Sequence, residues 1–290
     1  MFILKISNLE ITKHSFIQHP LCSRCFKLPK DNNKLAKIKI KSQKLSDDNY
    51  RIKSIDKNFY NLLLNDLVDT KVGIFNTVLD DVSAPFSVSV ANLPIANGLD
   101  EPGIGRAVRY QDSRVIAILE GLERYAGFYP KGKRTVITSS YKDIKNFAIN
   151  PELFGVHSEA QYSSSSFPFK PFNSTKKIDW VWAFSFIKNK PILIPEFCGY
   201  YGYFLEKGYR DAFFYEISNG CSIGGCIEEA ILHGIFEVIE RDAFLISWYS
   251  RLPLQEIDVD EIQDQEFQFM LNRFQKETDY ELKFFNMTLD

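Results

Sequence analysis

The stretch Ile118-Leu119-Glu120-Gly121-Leu122-Glu123-Arg124 has a near copy in Ile235-Phe236-Glu237-Val238-Ile239-Glu240-Arg241, and both carry the pattern E-x-x-E-R in an otherwise apolar segment. Side chains three or four positions apart share one face of a helix, so Glu120 and Glu123 are predicted to project together. Each copy follows a glycine-bearing segment that we interpret as a loop. The repetition therefore predicts a duplicated loop–helix unit, related by a pseudo-twofold axis.

The segments around the two copies predict an α+β fold, with mixed sheets packed against helices. Hydrophobic periodicity and proline positions predict helices over 113–129, 228–249 and 260–277. Alternating or β-branched runs predict strands at 72–75, 86–90 and 281–288, and a hairpin formed by 180–186 and 191–195. Loops are expected at Gly98, Gly103 and Gly105, at 163–177, and at 218–225.

The second helix carries a polar stripe in which Glu229, His233, Glu237 and Glu240 step by four, four and three positions. Its other positions are nearly all apolar, which predicts that the helix and its stripe are largely buried. Buried carboxylates are costly unless they are paired or bind a metal. Two such acidic faces would suit Mg²⁺, which prefers oxygen ligands and bridges to phosphate. Surface Glu–Arg pairing is the structural alternative, and His233 suits either helix packing or general base chemistry.

Composition excludes several classes of protein. Of the 290 residues, 45% are hydrophobic and 25% charged, which is normal for a globular chain and excludes disorder and collagen-like repeats. The 35 basic and 37 acidic residues leave a net charge of −2, which argues against nucleic-acid binding. Five cysteines are too few for a disulfide framework, and no signal peptide or membrane span is evident. A cytoplasmic location is therefore expected.

The first 69 residues are expected to form a lead and a basic linker before a domain at 70–290. Residues 27–57 hold ten Lys or Arg and four Asp or Glu, and the alternating run 37–41 suggests an edge strand. A solvated linker and a docking site for an acidic partner both remain open. Cys22 and Cys25, with His14 and His19, have spacings that a zinc ion uses; a zinc half-site completed elsewhere and free thiols are the alternatives.

Two motifs in this order resemble a known family. Gly103-Ile104-Gly105, followed by the helix at 113–127, resembles the first nucleotide-binding motif of YcaO-domain proteins. The segment from Ser218-Asn219-Gly220 to Glu237-Val238-Ile239-Glu240-Arg241-Asp242-Ala243 resembles the second. The resemblance runs from about residue 70 to the last residue and is strongest to the branch that makes thiazole/oxazole peptides, including bacteriocins. The segment 19–25 resembles the one that precedes the domain in that branch.

The resemblance implies an ATP- and Mg²⁺-dependent cyclodehydratase acting on a ribosomal precursor peptide. It implies as partners that peptide, a ThiF-like leader-binding protein and a dehydrogenase, with a homodimer possible and neither nucleic acid nor membrane involved. Carried over by position, the Mg²⁺ ligands would be Glu120, Glu123, Glu237 and Glu240. Ser222 and Glu229 would lie by the nucleotide, and Arg241 near the phosphates.

This sequence departs from the family pattern at Ile116, Gly225 and Ile104, where the family has serine, asparagine and a basic residue. The strand expected at the end of the chain continues in the family into a further segment, so we expect the domain to be incomplete at its C-terminus. A second hypothesis is therefore a truncated, non-catalytic module that binds a leader peptide or partner subunit. Thioamide or amidine formation uses the same ATP chemistry and is a third.

Overall fold

The computed structural model describes residues 1–45, 57–95, 99–208 and 212–289, and the chain divides into two compact units. Unit 1 comprises 1–17, 42–124 and 219–290; unit 2 comprises 18–41 and 125–218. The strands are β1 (Phe2–Lys5), β2 (Glu10–Lys13), β3 (Thr77–Asp81), β4 (Ser87–Pro94), β5 (Asp100–Ala107), β6 (Ile137–Ser140), β7 (Lys177–Ser185), β8 (Lys190–Pro195), β9 (Gln255–Glu256) and β10 (Phe285–Asn286). The helices are α1 (Lys57–Leu67), α2 (Tyr110–Phe128), α3 (Tyr141–Ile144), α4 (Glu159–Tyr162), α5 (Glu196–Gly199), α6 (Tyr203–Lys207), α7 (Ile227–Ser250) and α8 (Gln265–Glu277).

The described strands form small antiparallel sheets, which together with the helices confirms the α+β class. Their orders are β1-β2, β3-β4-β5, β6-β7-β8 and β10-β9. Among the described residues, parallel pairing is limited to isolated bridges such as Val68–Phe75. None of the helices in this part of the chain combines the length and apolarity that crossing a bilayer requires.

In unit 1, strand β5 lies directly against helix α2. A Cβ atom placed on Gly105 would be 1.8 Å from the Ser113 carbonyl oxygen, and one on Gly103 would be 2.2 Å from that of Ala117. Neither position leaves room for a side chain. Our loop prediction at these glycines was wrong, because they serve close packing of backbone on backbone rather than a turn; Gly98 lies outside the described residues.

Unit 2 is built on the β6-β7-β8 sheet, whose hairpin at 177–195 was predicted from the sequence. Trp180 is fully buried and packs with Ala148 and Leu193. A second cluster of aromatic rings is centred on Phe197 and Phe213. The loop-like character of 163–177 is also confirmed.

The segment that we interpreted as a basic linker is anchored in unit 2 by Asp31. Its carboxylate accepts a hydrogen bond from the Trp182 N–H at 2.8 Å and lies 2.9 Å from the Lys133 ammonium. No edge strand forms over 37–41, so that prediction was wrong; part of 27–57 lies outside the described residues. The boundary at residue 70 stays a prediction.

The helix predictions were more accurate than the strand predictions. Helices α2, α7 and α8 and strand β4 lie close to the expected positions. No strand forms at 72–75, which contributes a single bridge residue, and only Phe285–Asn286 of 281–288 is a strand. Both failures concern short apolar runs whose neighbours decide whether a strand pairs.

A pH dependence of stability is expected from Glu216 in unit 2. Burial raises the pKa of this half-buried carboxyl from 4.5 to about 7, although the Phe204 and Tyr203 N–H groups act in the opposite direction. Because the folded state holds this proton more tightly, its contribution to the free energy of unfolding declines as pH rises through that window. We therefore expect Glu216→Gln to become progressively more stable than the parent as pH rises.

Urea unfolding at about pH 5 and about pH 8 measures this difference. Glu159→Gln, at an exposed position, is the matched control. If the free energies of unfolding of Glu216→Gln and the parent differ by the same amount at both pH values, the expectation is contradicted.

Candidate functional site

The first acid of the α2 motif, Glu120, is held by two groups of unit 1. Its Oε2 accepts a hydrogen bond of 2.7 Å from the N–H of Ile104 in β5. Its Oε1 accepts a 2.8 Å bond from the Arg124 guanidinium one turn later. Arg124 also donates to Glu101 at 2.6 Å. Strand β5, which precedes the helix, therefore provides a backbone N–H donor to the Glu120 carboxylate.

The first acid of the α7 motif, Glu237, repeats this arrangement. Its Oε2 accepts a 3.0 Å hydrogen bond from the N–H of Gly220, in the segment before the helix. Its Oε1 lies 3.8 Å from the Arg241 guanidinium, again four positions later. The predicted duplication is thus reproduced in the contacts, although the first copy begins with a strand and the second with a loop.

Glu123, the second acid of the α2 motif, interacts electrostatically with the first acids of both motifs. Burial, followed by the neighbouring carboxylates Glu237 and Glu120, raises the pKa of Glu123 to about 7, while Arg124 and the Ile223 N–H act in the opposite direction. Cys221 is close to the same acids: burial, with Glu123 and Glu237, raises the pKa of its thiol to about 11. Acids from α2 and α7 therefore converge within unit 1; we call Glu120, Glu123 and Glu237 the acid cluster.

The loop before α7 is tied to the helix by two predicted site residues. Glu229 is buried, and its Oε2 accepts a 3.1 Å hydrogen bond from the N–H of Gly225. Ser222 donates its hydroxyl to the Ala230 carbonyl. A Cβ atom on Gly225 would lie 3.2 Å from that same Glu229 oxygen, so asparagine would crowd this contact. Both residues shape the loop that faces the acid cluster.

The remaining residues of the stripe are less buried than predicted. Glu240 and Arg241 are exposed, and His233 is partly buried. Much of the apolar surface of α7 is exposed as well, including Phe236 at 57% and Trp248 at 69%. The predicted burial of the whole helix was therefore wrong: periodicity shows that a surface is apolar and does not show what covers it.

Sequence patterns missed four groups that define the cluster. The N–H groups of Ile104 and Gly220 carry no side-chain signal, and Glu101 and Cys221 lie outside the repeated motif. The sequence separation between donor and acceptor is a signal that could have found the two N–H groups, since each donor precedes the glutamate that accepts from it by 16 or 17 positions.

The acid cluster fits a hard divalent cation in its chemistry. Its donors are carboxylate oxygens, and burial, followed by the charges of Glu237 and Glu120, raises the pKa of Glu123 although Arg124 acts in the opposite direction. Within the described ranges, no three His, Cys, Asp or Glu side chains are arranged as a ready set of metal ligands. A cation would therefore need these side chains to rearrange, with phosphate or water completing its coordination.

The predicted zinc site finds no support in the described part of the chain. Cys22 and Cys25 are free thiols in unit 2, and the Cys25 N–H lowers the pKa of Cys22. The two ring nitrogens of His14 contact Asp69 and Thr12, and Nδ1 of His19 accepts from the Leu21 N–H. These ring nitrogens therefore already have nearby hydrogen-bond partners.

Comparison with known proteins gives a family match. Residues 104–290 match the model of the YcaO cyclodehydratase family, described as ATP- and Mg²⁺-binding. This range includes α2, α7 and all residues of the acid cluster.

Individual proteins are more distant. An uncharacterized protein of Methanothermobacter thermautotrophicus is 26% identical over 155 residues, covering 53% of this chain and 36% of that protein. A heterocyclase solved in complex with substrate and cofactor is 21% identical, with 95% of this chain and 39% of that chain covered and a TM-score of 0.75. The Escherichia coli microcin synthetase McbBCD complex with pro-MccB17 bound is 16% identical, with 77% and 54% covered and a TM-score of 0.51.

These structural likenesses concern the fold. The chain spans 36% of the length of that relative and 39% and 54% of the two solved chains.

Proposed function

The chain belongs to the YcaO family, and from this premise we propose that its acid cluster holds Mg·ATP for a cyclodehydratase that forms thiazoline or oxazoline rings in a ribosomal precursor peptide. The observation that carries the proposal is the convergence of Glu120, Glu123 and Glu237 from two repeated helices. Carboxylates at such density need a counter-charge, which Mg²⁺ supplies, and phosphate oxygens of ATP would be further ligands of the ion.

The proposed reaction balances without a redox partner. The thiol of a peptide Cys, or the hydroxyl of Ser or Thr, loses its proton as it adds to the preceding backbone carbonyl and forms a new C–S or C–O bond. The carbonyl oxygen then takes the γ-phosphoryl group of ATP, which releases ADP. The C–O bond to phosphate breaks as the amide N–H proton is lost, giving the ring and inorganic phosphate. The peptide loses the elements of one water molecule.

The residues of this chain would act by positioning and charge neutralisation, which supply most of the catalysis in phosphoryl transfer. Glu120, Glu123, Glu237 and Glu240 would hold Mg²⁺, and Arg241, which is exposed beside Glu237, would contact phosphate. Arg124 and the N–H groups of Ile104 and Gly220 would fix the acids. Ser222 and Glu229 would hold the loop against the nucleotide. When bound, Mg·ATP supplies the phosphoryl group that makes the carbonyl oxygen a leaving group.

The proposed partners follow the same reasoning. A precursor peptide, a ThiF-like leader-binding protein and a dehydrogenase are proposed, together with a cytoplasmic location and possible homodimerisation. The microcin synthetase complex, which has a similar fold and holds a pro-peptide, supports the peptide and partner proposals. Thioamide or amidine formation would use the same acids with another nucleophile.

A second candidate function is a non-catalytic module that binds a leader peptide or partner subunit. Three observations favour it. Among the described residues no three potential ligands are arranged for a metal, and Glu240 is exposed. Ile116, where the family has serine, is also partly exposed on α2. Binding of Mg·ATP separates the two candidates.

We expect the chain to bind Mg·ATP with micromolar affinity, as measured by calorimetry. Glu120→Gln and Glu237→Gln should each weaken binding about 10- to 100-fold, because each removes a negative charge from the cluster. Glu266→Gln, at an exposed position in α8, is the matched control and should bind as the parent does. Absence of Mg·ATP binding to a folded chain would favour the non-catalytic module.

Catalysis is tested with a candidate precursor peptide encoded beside this protein, together with the leader-binding protein and ATP. We expect peptide mass to fall by about 18 Da per ring, as one water is lost, in step with ADP formation. Glu237→Gln should abolish the change. ATP turnover with no change in peptide mass would overturn the cyclodehydratase proposal.

A further inference from the structure

Residues 27–41 are a basic stretch of unit 2 that has no part in the acid cluster. Six of these residues are lysine, and Asp31 is the single acid among them. Asp31 is buried, where it pairs with the Lys133 ammonium and accepts a hydrogen bond from the Trp182 N–H. Its charge is therefore already used, and the exposed charges of the stretch are all positive.

The backbone of this stretch is bound to the chain that precedes β6. The Asp31 N–H donates to the Arg134 carbonyl, and the Arg134 N–H donates to the Pro29 carbonyl, each at 2.9 Å. These bonds form a parallel bridge in which Lys30 lies directly opposite Arg134. Directly opposed residues of paired chains project on the same face, and both of these residues are exposed. Two cations are therefore held side by side.

The pairing of Lys30 with Arg134 is unfavourable in the isolated chain, because like charges directly opposite one another destabilise a strand pair. Neither residue forms an ion pair within the described ranges. A carboxylate placed between the two side chains would remove the repulsion and pair with both. The bridge therefore favours an anionic ligand.

A turn after the bridge adds further cations. The Asn32 Oδ1 accepts hydrogen bonds from the N–H groups of Lys34 and Leu35, at 3.0 and 3.3 Å. Ala36 is buried, and Lys34 and Lys37 are exposed on either side of it. A solvated linker would need neither the turn nor the buried residue, so these lysines lie on an ordered surface. We call Lys30, Lys34, Lys37 and Arg134 the basic strip.

The side chains between the cations indicate which kind of anion fits. Leu35 and Ile40 are exposed, and residues 27–41 contain no aromatic ring on which a nucleic-acid base could stack. The chain as a whole carries a net charge of −2, which does not favour a long polyanion. Cations interleaved with aliphatic side chains match a peptide in which acids are interleaved with aliphatic residues.

We propose that the basic strip binds an acidic segment of a partner polypeptide, in which Asp or Glu residues are interleaved with aliphatic ones. One carboxylate of the segment lies between Lys30 and Arg134, where the guanidinium offers a bidentate contact. Neighbouring carboxylates pair with Lys34 and Lys37, and an aliphatic side chain contacts Leu35. Because the acid cluster and Mg·ATP have no part in this surface, the proposal is independent of the proposed function.

The probe is the peptide Glu-Leu-Asp-Glu-Leu-Asp-Glu-Leu, labelled with fluorescein at its N-terminus and titrated with the full chain while fluorescence anisotropy is measured. We expect a Kd on the order of 10–100 μM at about 50 mM salt, weakened at least about tenfold at about 500 mM salt, because exposed charges are screened. The same peptide with Gln and Asn in place of Glu and Asp should bind at least about tenfold more weakly. No binding of the acidic peptide at low salt, or equal binding of the two peptides, would overturn the proposal.

Lys30→Glu separates binding from folding. It places an opposite charge beside Arg134, so we expect the Tm to rise by about 1–3 °C while peptide affinity falls at least about tenfold. Arg134→Gln, which removes one charge without adding another, should weaken binding several-fold. Lys188→Glu, at an exposed position between β7 and β8, changes the net charge equally and is the matched control. It should bind the peptide as the parent does.

An equal loss of affinity in Lys30→Glu and Lys188→Glu would show that net charge alone attracts the peptide, and would contradict the strip. Tighter binding of a ten-nucleotide oligothymidylate, or of vesicles containing phosphatidylserine, would overturn the peptide in favour of nucleic acid or a membrane surface. Self-association that excludes the peptide and is lost in Lys30→Glu would overturn it in favour of a second copy of the chain.

Discussion

Gly105→Ala is expected to prevent unit 1 from folding. The new Cβ atom would lie 1.8 Å from the Ser113 carbonyl oxygen and 2.6 Å from the Ala117 nitrogen, both in the backbone of α2. Backbone atoms of a helix cannot move aside as the end of a flexible side chain can. We expect a loss of more than about 4 kcal/mol in the free energy of unfolding, the range of severe core disruption.

Circular dichroism and urea unfolding measure this effect, and Gly132→Ala is the matched control. A Cβ atom on Gly132 would have no neighbour within 4 Å, so the control should unfold as the parent does. A Gly105→Ala protein within about 1 kcal/mol of the parent would show that β5 does not pack on α2 in this way. Because Ile104 lies beside Gly105, the same packing holds the backbone donor to Glu120 in place.

Asp31→Ala is expected to destabilise unit 2 by about 3–5 kcal/mol, because it leaves the Lys133 ammonium buried without its counter-charge. The Asp31 side chain is 0% exposed and that of Lys133 15%. Their contact is an ion pair rather than an aligned hydrogen bond, while the Trp182 N–H supplies an aligned donor to the other carboxylate oxygen.

A double-mutant cycle with Lys133→Met isolates the pair. The double variant Asp31→Ala/Lys133→Met should cost less than the two single changes added together, by about 1–3 kcal/mol, because neither buried charge is then left alone. Unfolding monitored by tryptophan fluorescence measures it, since Trp180 and Trp182 lie in β7. If the losses of unfolding free energy in the two single variants add up to the loss in the double variant, the two charges do not stabilise one another.

The sequence predicted the elements that depend on interactions between residues close together in the chain, and it missed those that depend on distant residues. Helices α2 and α7 were predicted because their periodicity and the prolines beyond them act locally. The hairpin of β7 and β8 was predicted because its turn joins two β-branched and aromatic runs. Strand β5 was missed because glycine in a strand resembles a loop signal, and the helix that requires the glycine is not visible in the pattern.

The candidate site divides in the same way. The repeated E-x-x-E-R pattern identified Glu120, Glu123 and Glu237, and it suggested that they meet. It could not indicate Cys221 beside them or the backbone donors of Ile104 and Gly220. These groups are brought to the acids by packing, and a backbone N–H has the same identity at every position.

By itself the sequence determined the family, the two acidic helices and their duplication, because these depend on residue identity at helical spacing. Tertiary structure decided that Glu123 interacts with two other carboxylates while Glu240 is exposed, and that Asp31 anchors a segment with the composition of a linker. It also decided that much of the apolar surface of α7 is exposed. Burial depends on which surfaces pack together, whereas a periodic pattern shows only which surfaces are apolar enough to pack.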